Sequence, residues 1–153
     1  MYIIADFAKM YTIEEYRNTI SKKLDHLDVG LLALNAGYAE IGPFNLIDDI
    51  EVEKLCQVNA VSVLYTFKVM IKQLLDRYEN TGRKAGVVIT SSISQVLPYP
   101  GSSTYSSVKC FVTHLARCLN YEFSGKLDVY SYNHGGVTTK MSNAKETNSR
   151  IIS

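Results

Sequence analysis

Short β-rich apolar runs alternate along the chain with longer stretches of helical periodicity. Residues 1–5 read as a short strand. Residues 11–27 read as a helix, opened by Thr12 with Glu15 three positions later, the pattern of a capping box. Residues 29–34, Val-Gly-Leu-Leu-Ala-Leu, are almost unbroken apolar, and a strand of that kind calls for cover on both faces, as in a parallel sheet. Asn35-Ala36-Gly37 ends the run, and Gly42-Pro43 marks the loop that follows. Residues 48–78 form a long helical pattern with Ile50, Leu55, Val58, Val61, Val63 and Met70 among its apolar positions, stopped by Asn80-Thr81-Gly82. Residues 86–90 are a second buried-type strand. Residues 91–103 are a loop holding Pro98, Pro100 and Gly101. Residues 104–123 are helical, and 127–132 are a strand that ends at Asn133-His134-Gly135-Gly136.

The order β-α-β-α-β-α-β predicts an α/β fold with a mainly parallel sheet and flanking helices. Ligands of such open sheets bind beyond the carboxyl ends of the strands. Asn35, Ser91, Ser92 and residues 134–139 all fall just after predicted strands, which makes them candidates on position alone. The pattern gives one core over residues 1–141 and a polar tail over 142–153. There is no internal repeat and no linker.

Composition narrows the function classes. At 153 residues, 46% hydrophobic and 20% charged, the chain can bury a core. A net charge of +1 with no basic stripe argues against a nucleic-acid partner. No apolar run approaches the roughly 20 residues of a membrane span, and the first residues do not have the form of a signal peptide. Cys56, Cys110 and Cys118 are odd in number and share no Cys-x-x-Cys spacing. That predicts a reducing compartment, with Cys110 and Cys118 as buried packing groups, and no metal site.

Tyr105 and Lys109 stand four apart near the start of a predicted helix, on one face. A phenol with pKa about 10 is a poor base at neutral pH, and a nearby ammonium or a helix N-terminus favours its ionised form. Such a tyrosine can exchange a proton with an alcohol or ketone, and a neighbouring serine can hold the substrate oxygen. With 11 Tyr in the chain, Tyr-x-x-x-Lys arises about once by chance. The pair gains meaning from Asn35-Ala36-Gly37, from Asn59 in the middle of a helical stretch, from Ser92 thirteen residues before Tyr105, and from Gly135-x-Val137-x-Thr139.

Taken in order, these motifs resemble the short-chain dehydrogenase/reductase family over residues 2–141. The wording around Ile89-Thr90-Ser91-Ser92 and Tyr105-Ser106-Ser107-Val108-Lys109 is similar to its hydroxysteroid dehydrogenase and very-long-chain 3-oxoacyl-CoA reductase branch. The resemblance implies a Rossmann-like sheet and an NADP- or NAD-dependent oxidoreductase acting on a ketone or secondary alcohol, with an apolar fatty-acyl or steroid-like substrate. It implies Tyr105 as the general acid/base and Lys109 as the group that depresses its pKa and holds the nicotinamide ribose. Ser92 would orient the substrate carbonyl, and Asn59 would support a relay water through the helix backbone. Asn35, Ala36 and Gly37 would line the adenosine-ribose side. Asp6 would lie near the adenine, and Val137 and Thr139 would contact the carboxamide. It further implies a homodimer through helices 48–78 and 104–123, in the cytoplasm or on the cytosolic face of the endoplasmic reticulum.

The chain departs from the family pattern in three places. His134 stands where a proline is usual. The glycines, at 30, 37, 42, 82, 86, 101, 125, 135 and 136, do not make the glycine-rich turn that receives a pyrophosphate. The first βαβ unit and the last strand are expected to be missing. Residues 1–5 must then either move inward to pair with 29–34 or leave that strand with an open apolar edge. The alternative function is a catalytically inactive, truncated homologue serving as a structural or dimerisation module.

Overall fold

The computed structural model describes residues 2–135. Three strands, β1 (Leu31–Leu34), β2 (Ala85–Ser92) and β3 (Leu127–His134), form a parallel sheet in the order β1-β2-β3. Leu34 lies opposite Ile89, and Ser92 opposite His134. Three helices accompany them: α1 (residues 13–24), α2 (Asp49–Thr81) and α3 (Ser103–Glu122). The capping box is formed: the Thr12 hydroxyl accepts from the Glu15 N–H at 3.3 Å, and the Glu15 carboxylate accepts from the Thr12 N–H at 2.7 Å. α2 ends at Gly82, whose φ of 69° is the left-handed conformation that favours glycine.

Burial alternates along the strands. Ala85, Val87 and Ile89 of β2 and Leu127 and Val129 of β3 are buried, while Tyr130 and Tyr132 are more than half exposed. The core therefore sits on one face, where Val63, Phe67, Met70 and Leu74 of α2 and Val112 and Ala116 of α3 meet the inward strand residues. Tyr16 of α1 joins them, stacked on Phe7 at 5.7 Å. By length and composition α2 could cross a membrane, but here it is the central core helix.

Two expectations are corrected. The run 29–34 was expected to be covered on both faces, and the described residues cover one. The reason is chirality. Both crossovers, β1-α2-β2 and β2-α3-β3, step the same way across the sheet, and right-handed connections then put both helices on the same side. The predicted first strand is also not formed: residues 2–6 are irregular, with Tyr2 and Ile4 almost fully exposed, and lead into a single turn at Phe7–Lys9. Nothing among the described residues pairs with the outer edge of β1, so of the two alternatives the structure takes the open edge. An apolar groove of about 320 Å³ runs along that edge, between Phe7 and Ile20 on one side and Leu32–Leu34 on the other.

Candidate active site at the carboxyl end of the central strand

The last three residues of β2 each do a different job. Thr90 offers its carbonyl to the Lys109 amine at 3.0 Å, and its hydroxyl donates to Asn35 Oδ1 at 2.7 Å. Ser91, fully buried, donates to the Lys109 carbonyl at 3.0 Å and shares a 2.7 Å bond with Thr113. Ser92 places its hydroxyl against the Tyr105 phenol and also accepts from the Ser94 N–H at 3.2 Å. The helical turn that carries Lys109 is thus tied to β2 by both its backbone and its side chain. Register explains why Asn35 is within reach: Leu34 of β1 pairs with Ile89, so Asn35, just past the end of β1, falls beside Thr90, which continues in β2 paired with β3.

Tyr105 stands in the first turn of α3, and the Lys109 amine lies 5.4 Å from the centre of its ring. The expected depression of the phenol is not found. Burial raises the Tyr105 pKa above the ordinary tyrosine value, and the hydrogen bond from Ser92 only partly offsets it. The lysine itself is perturbed: it is 3% exposed, and burial pulls its pKa down to about 8. The physical reason is placement. The amine donates a hydrogen bond to the Thr90 carbonyl and stands 5.4 Å from the centre of the Tyr105 ring.

Asn59 is buried inside α2, where the helix widens to π geometry over Gln57–Val61. Its amide donates to the Tyr38 carbonyl at 2.7 Å and to the Leu55 carbonyl at 2.9 Å, and its oxygen accepts from the Tyr38 N–H at 3.2 Å. Its side chain is thus committed to the loop after β1. Asn35 and Ala36 line the groove at the carboxyl end of β1, and Gly37 follows them. Asp6 caps the Phe7–Lys9 turn, accepting from the Ala8 N–H at 3.2 Å, and is exposed rather than ending a strand. Val137 and Thr139 lie outside the described residues. Ser92, Tyr105, Lys109 and Asn35 are therefore gathered around the ends of β1 and β2, with Asn59 bracing the adjoining loop and Asp6 apart.

The thiols depart from expectation. Cys110 and Cys118 are exposed, because their shared face of α3 points away from the sheet, and Cys110 Sγ lies 2.9 Å from the Gln95 carbonyl. All three cysteines are unpaired. No group of metal ligands occurs among the described residues. The roles of Thr90, Ser91 and Thr113 were not legible in the sequence, since short hydroxyl residues at a strand end or inside a helix carry no signal of what they touch. Nor was Tyr38, whose partners stand thirteen and twenty-one residues away.

Around this cluster, the loop 93–101 and the loop 41–46 stand side by side, joined by the Gly42 N–H donating to the Gly101 carbonyl at 2.8 Å. Ile41, Phe44, Leu46, Val96, Leu97 and Tyr99 are each more than half exposed there.

Comparison with known proteins agrees with this arrangement. The family model for short chain dehydrogenases matches residues 1–150. The very-long-chain 3-oxoacyl-CoA reductase of Mus musculus is 28% identical over 121 residues, 76% of this chain and 37% of that protein. The inactive hydroxysteroid dehydrogenase-like protein 1 of Homo sapiens is 27% identical over 126 residues, 81% of this chain and 36% of that one. The chain thus spans little more than a third of the length of these relatives. Among solved structures, a putative NAD(P) dependent gluconate 5-dehydrogenase from Beutenbergia cavernae, with bound NADP at low occupancy, superposes with a TM-score of 0.82 at 20% identity. The match covers 95% of this chain and 55% of that one, and shows the shared fold. With a family match over nearly its whole length, and Ser92, Tyr105 and Lys109 converging at one strand end, the chain belongs to the short-chain dehydrogenase/reductase family.

Proposed function

We propose that this chain is the core of an NAD(P)-dependent oxidoreductase that reduces a ketone, or oxidises the matching secondary alcohol, on an apolar fatty-acyl or steroid-like substrate. The observation that carries the reading is the gathering of Ser92, Tyr105 and the desolvated Lys109 amine at the carboxyl end of β2. The donor set suits a dinucleotide: the Lys109 amine and the Tyr105 phenol are grouped toward the end of β2 for a nicotinamide ribose, and the Asn35 amide stands just past the end of β1 for the adenosine-ribose side. Asn35, Ala36, Gly37, Tyr105 and Lys109 would hold the cofactor there, and Asp6 would approach the adenine. When bound, the nicotinamide supplies or accepts the hydride.

The protein's part in reduction is proton supply and orientation. Ser92 donates a hydrogen bond to the carbonyl oxygen and fixes it against Tyr105. As the carbonyl carbon gains hydride, its π electrons move to oxygen, and Tyr105 Oη passes its proton there. Lys109, while charged, stabilises the phenolate left behind. The apolar loops 41–46 and 93–101 flank the cluster and would seat an apolar tail, in keeping with the substrate named for the relatives. Leu64 on α2 and Phe111 on α3 are exposed apolar residues that a homodimer through these helices would cover. The unpaired thiols suit a reducing compartment, the cytoplasm or the cytosolic face of the endoplasmic reticulum.

The test is turnover of a long-chain 3-oxoacyl thioester with NADPH. Tyr105→Phe should lower it by about 10²–10⁴-fold, and unchanged turnover would end the proposal. A second reading, a non-catalytic module, is favoured by the raised pKa of Tyr105 and by the similarity to inactive hydroxysteroid dehydrogenase-like protein 1. Calorimetry showing micromolar binding of NADPH to the chain would count decisively against it.

A further inference from the structure

The end of β2 holds Lys109 at two points, and the second is a side chain that the proposed reaction does not use. The Thr90 carbonyl receives the Lys109 amine at 3.0 Å. Successive side chains of a strand point to opposite faces, so the next residue, Ser91, turns its hydroxyl toward α3 and donates to the Lys109 carbonyl at 3.0 Å. Adjacent strand residues thus grip the two ends of one lysine. A serine hydroxyl has one proton, and here the Lys109 carbonyl takes it. The 2.7 Å bond between Ser91 and Thr113 is therefore donated by Thr113, one turn further along α3. Asn133 Oδ1 at 3.2 Å and Ser131 at 3.3 Å, both on β3, are the more distant neighbours of the Thr113 hydroxyl. Ser91 is wholly buried and Thr113 is 2% exposed. A hydroxyl in such surroundings keeps its partners, because no water stands ready to replace them. The line from Thr113 through Ser91 to the Lys109 carbonyl fixes how closely this turn of α3 rests on β2, and the same turn carries the Lys109 stem into its buried seat. Without the Ser91 hydroxyl, the amine is held by Thr90 at the end of a flexible four-carbon stem. The backbone end of the residue then loses this hold on β2, and water gains access to the amine.

We propose that Ser91 is a positioning residue for the site: aimed by Thr113, its hydroxyl holds the Lys109 carbonyl against β2 and so sets the depth of the Lys109 amine beside Tyr105. Ser91 touches no reacting atom. The inference rests on the reading of Lys109 as the amine of the Ser92–Tyr105–Lys109 site, and its test does not depend on turnover.

The experiment is an NMR titration of the Lys109 side chain in the full chain, assigned with Lys109→Arg. Burial is what lowers the pKa of this amine, and Tyr105 is its titratable neighbour. Ser91→Ala is expected to raise the Lys109 midpoint by about one unit, a tenfold change in proton affinity. Thr113→Val, which exchanges the hydroxyl for a methyl, should raise it by less, and Thr113→Ser, which keeps the hydroxyl, should leave it in place. Ser62→Ala serves as the comparison: it removes a buried hydroxyl from another helix, α2, where it donates to the Val58 carbonyl at 2.7 Å, and should not move the midpoint. An unchanged midpoint in Ser91→Ala overturns the proposal; if that variant does not fold, an unchanged midpoint in Thr113→Val does so. A rise in Thr113→Ser equal to that in Thr113→Val also overturns it, as does a rise in Ser62→Ala equal to that in Ser91→Ala. A wild-type midpoint near the ordinary lysine value of about 10.4 would instead sink the reading of the site itself.

Discussion

The two faces of the sheet are built from the same strands and meet different surroundings. On the covered face, Val87, Ile89 and Leu127 pack against α2 and α3 and are almost wholly removed from water. On the other face, Leu31, Tyr130 and Tyr132 are more than half exposed, and the outer edge of β1 is unpaired. Every residue of the proposed acid–base set is placed by the covered layer: Ser92 by β2, Tyr105 and Lys109 by α3, Asn59 by α2. The bare face contributes to none of these contacts. The proposed proton-handling set is thus placed by one layer, whereas the open edge and bare face stand apart from it.

That contrast can be broken most forcefully from the covered side. Leu74 is fully buried, and Leu74→Ala should cost about 2–5 kcal/mol in chemical denaturation; a loss under about 1 kcal/mol would mean the core is not packed on this face as described. The next effect is electrostatic. Lys109 has a folded-state pKa of about 8, below its unfolded value of about 10.4. The unfolded chain binds more protons in between, so the charged amine penalises folding fully below pH 8, and the penalty is released as pH rises to about 10.4. Stability should climb across that window by about 3 kcal/mol, and Lys109→Met should flatten the climb. A wild-type chain with no such slope would show that the amine is not desolvated. The smallest expected effect belongs to the bare face. Tyr130→Ser should change stability by no more than about 0.5 kcal/mol, and a larger loss would reveal that something covers this face in solution.

The sequence carried much of the architecture. The unbroken apolar run at 29–34, the buried-type run at 86–90 and the capping pair Thr12 and Glu15 are local signals, and each marks an element that formed within a few residues of its expected bounds. The spacing of Ser92, Tyr105 and Lys109 was legible because a strand end, a loop and a helix turn fix it along the chain. The run at 1–5 misled because a short β-rich apolar run states only a readiness to pair. Pairing also needs a neighbour, and residues 2–6 have none. Cys110 and Cys118 misled for a related reason: an eight-residue spacing puts them on one helix face without saying which face meets the sheet.

What the residues determined by themselves is the succession of strands and helices and the order of the reactive groups, since both rest on interactions between positions close in the chain. Only the tertiary structure decided that one sheet face stays bare, that the Lys109 amine donates to the Thr90 carbonyl, and that Asn59 spends its side chain on Tyr38. Those outcomes depend on the handedness of crossovers and on desolvation by distant neighbours, and neither is written in any short stretch of sequence.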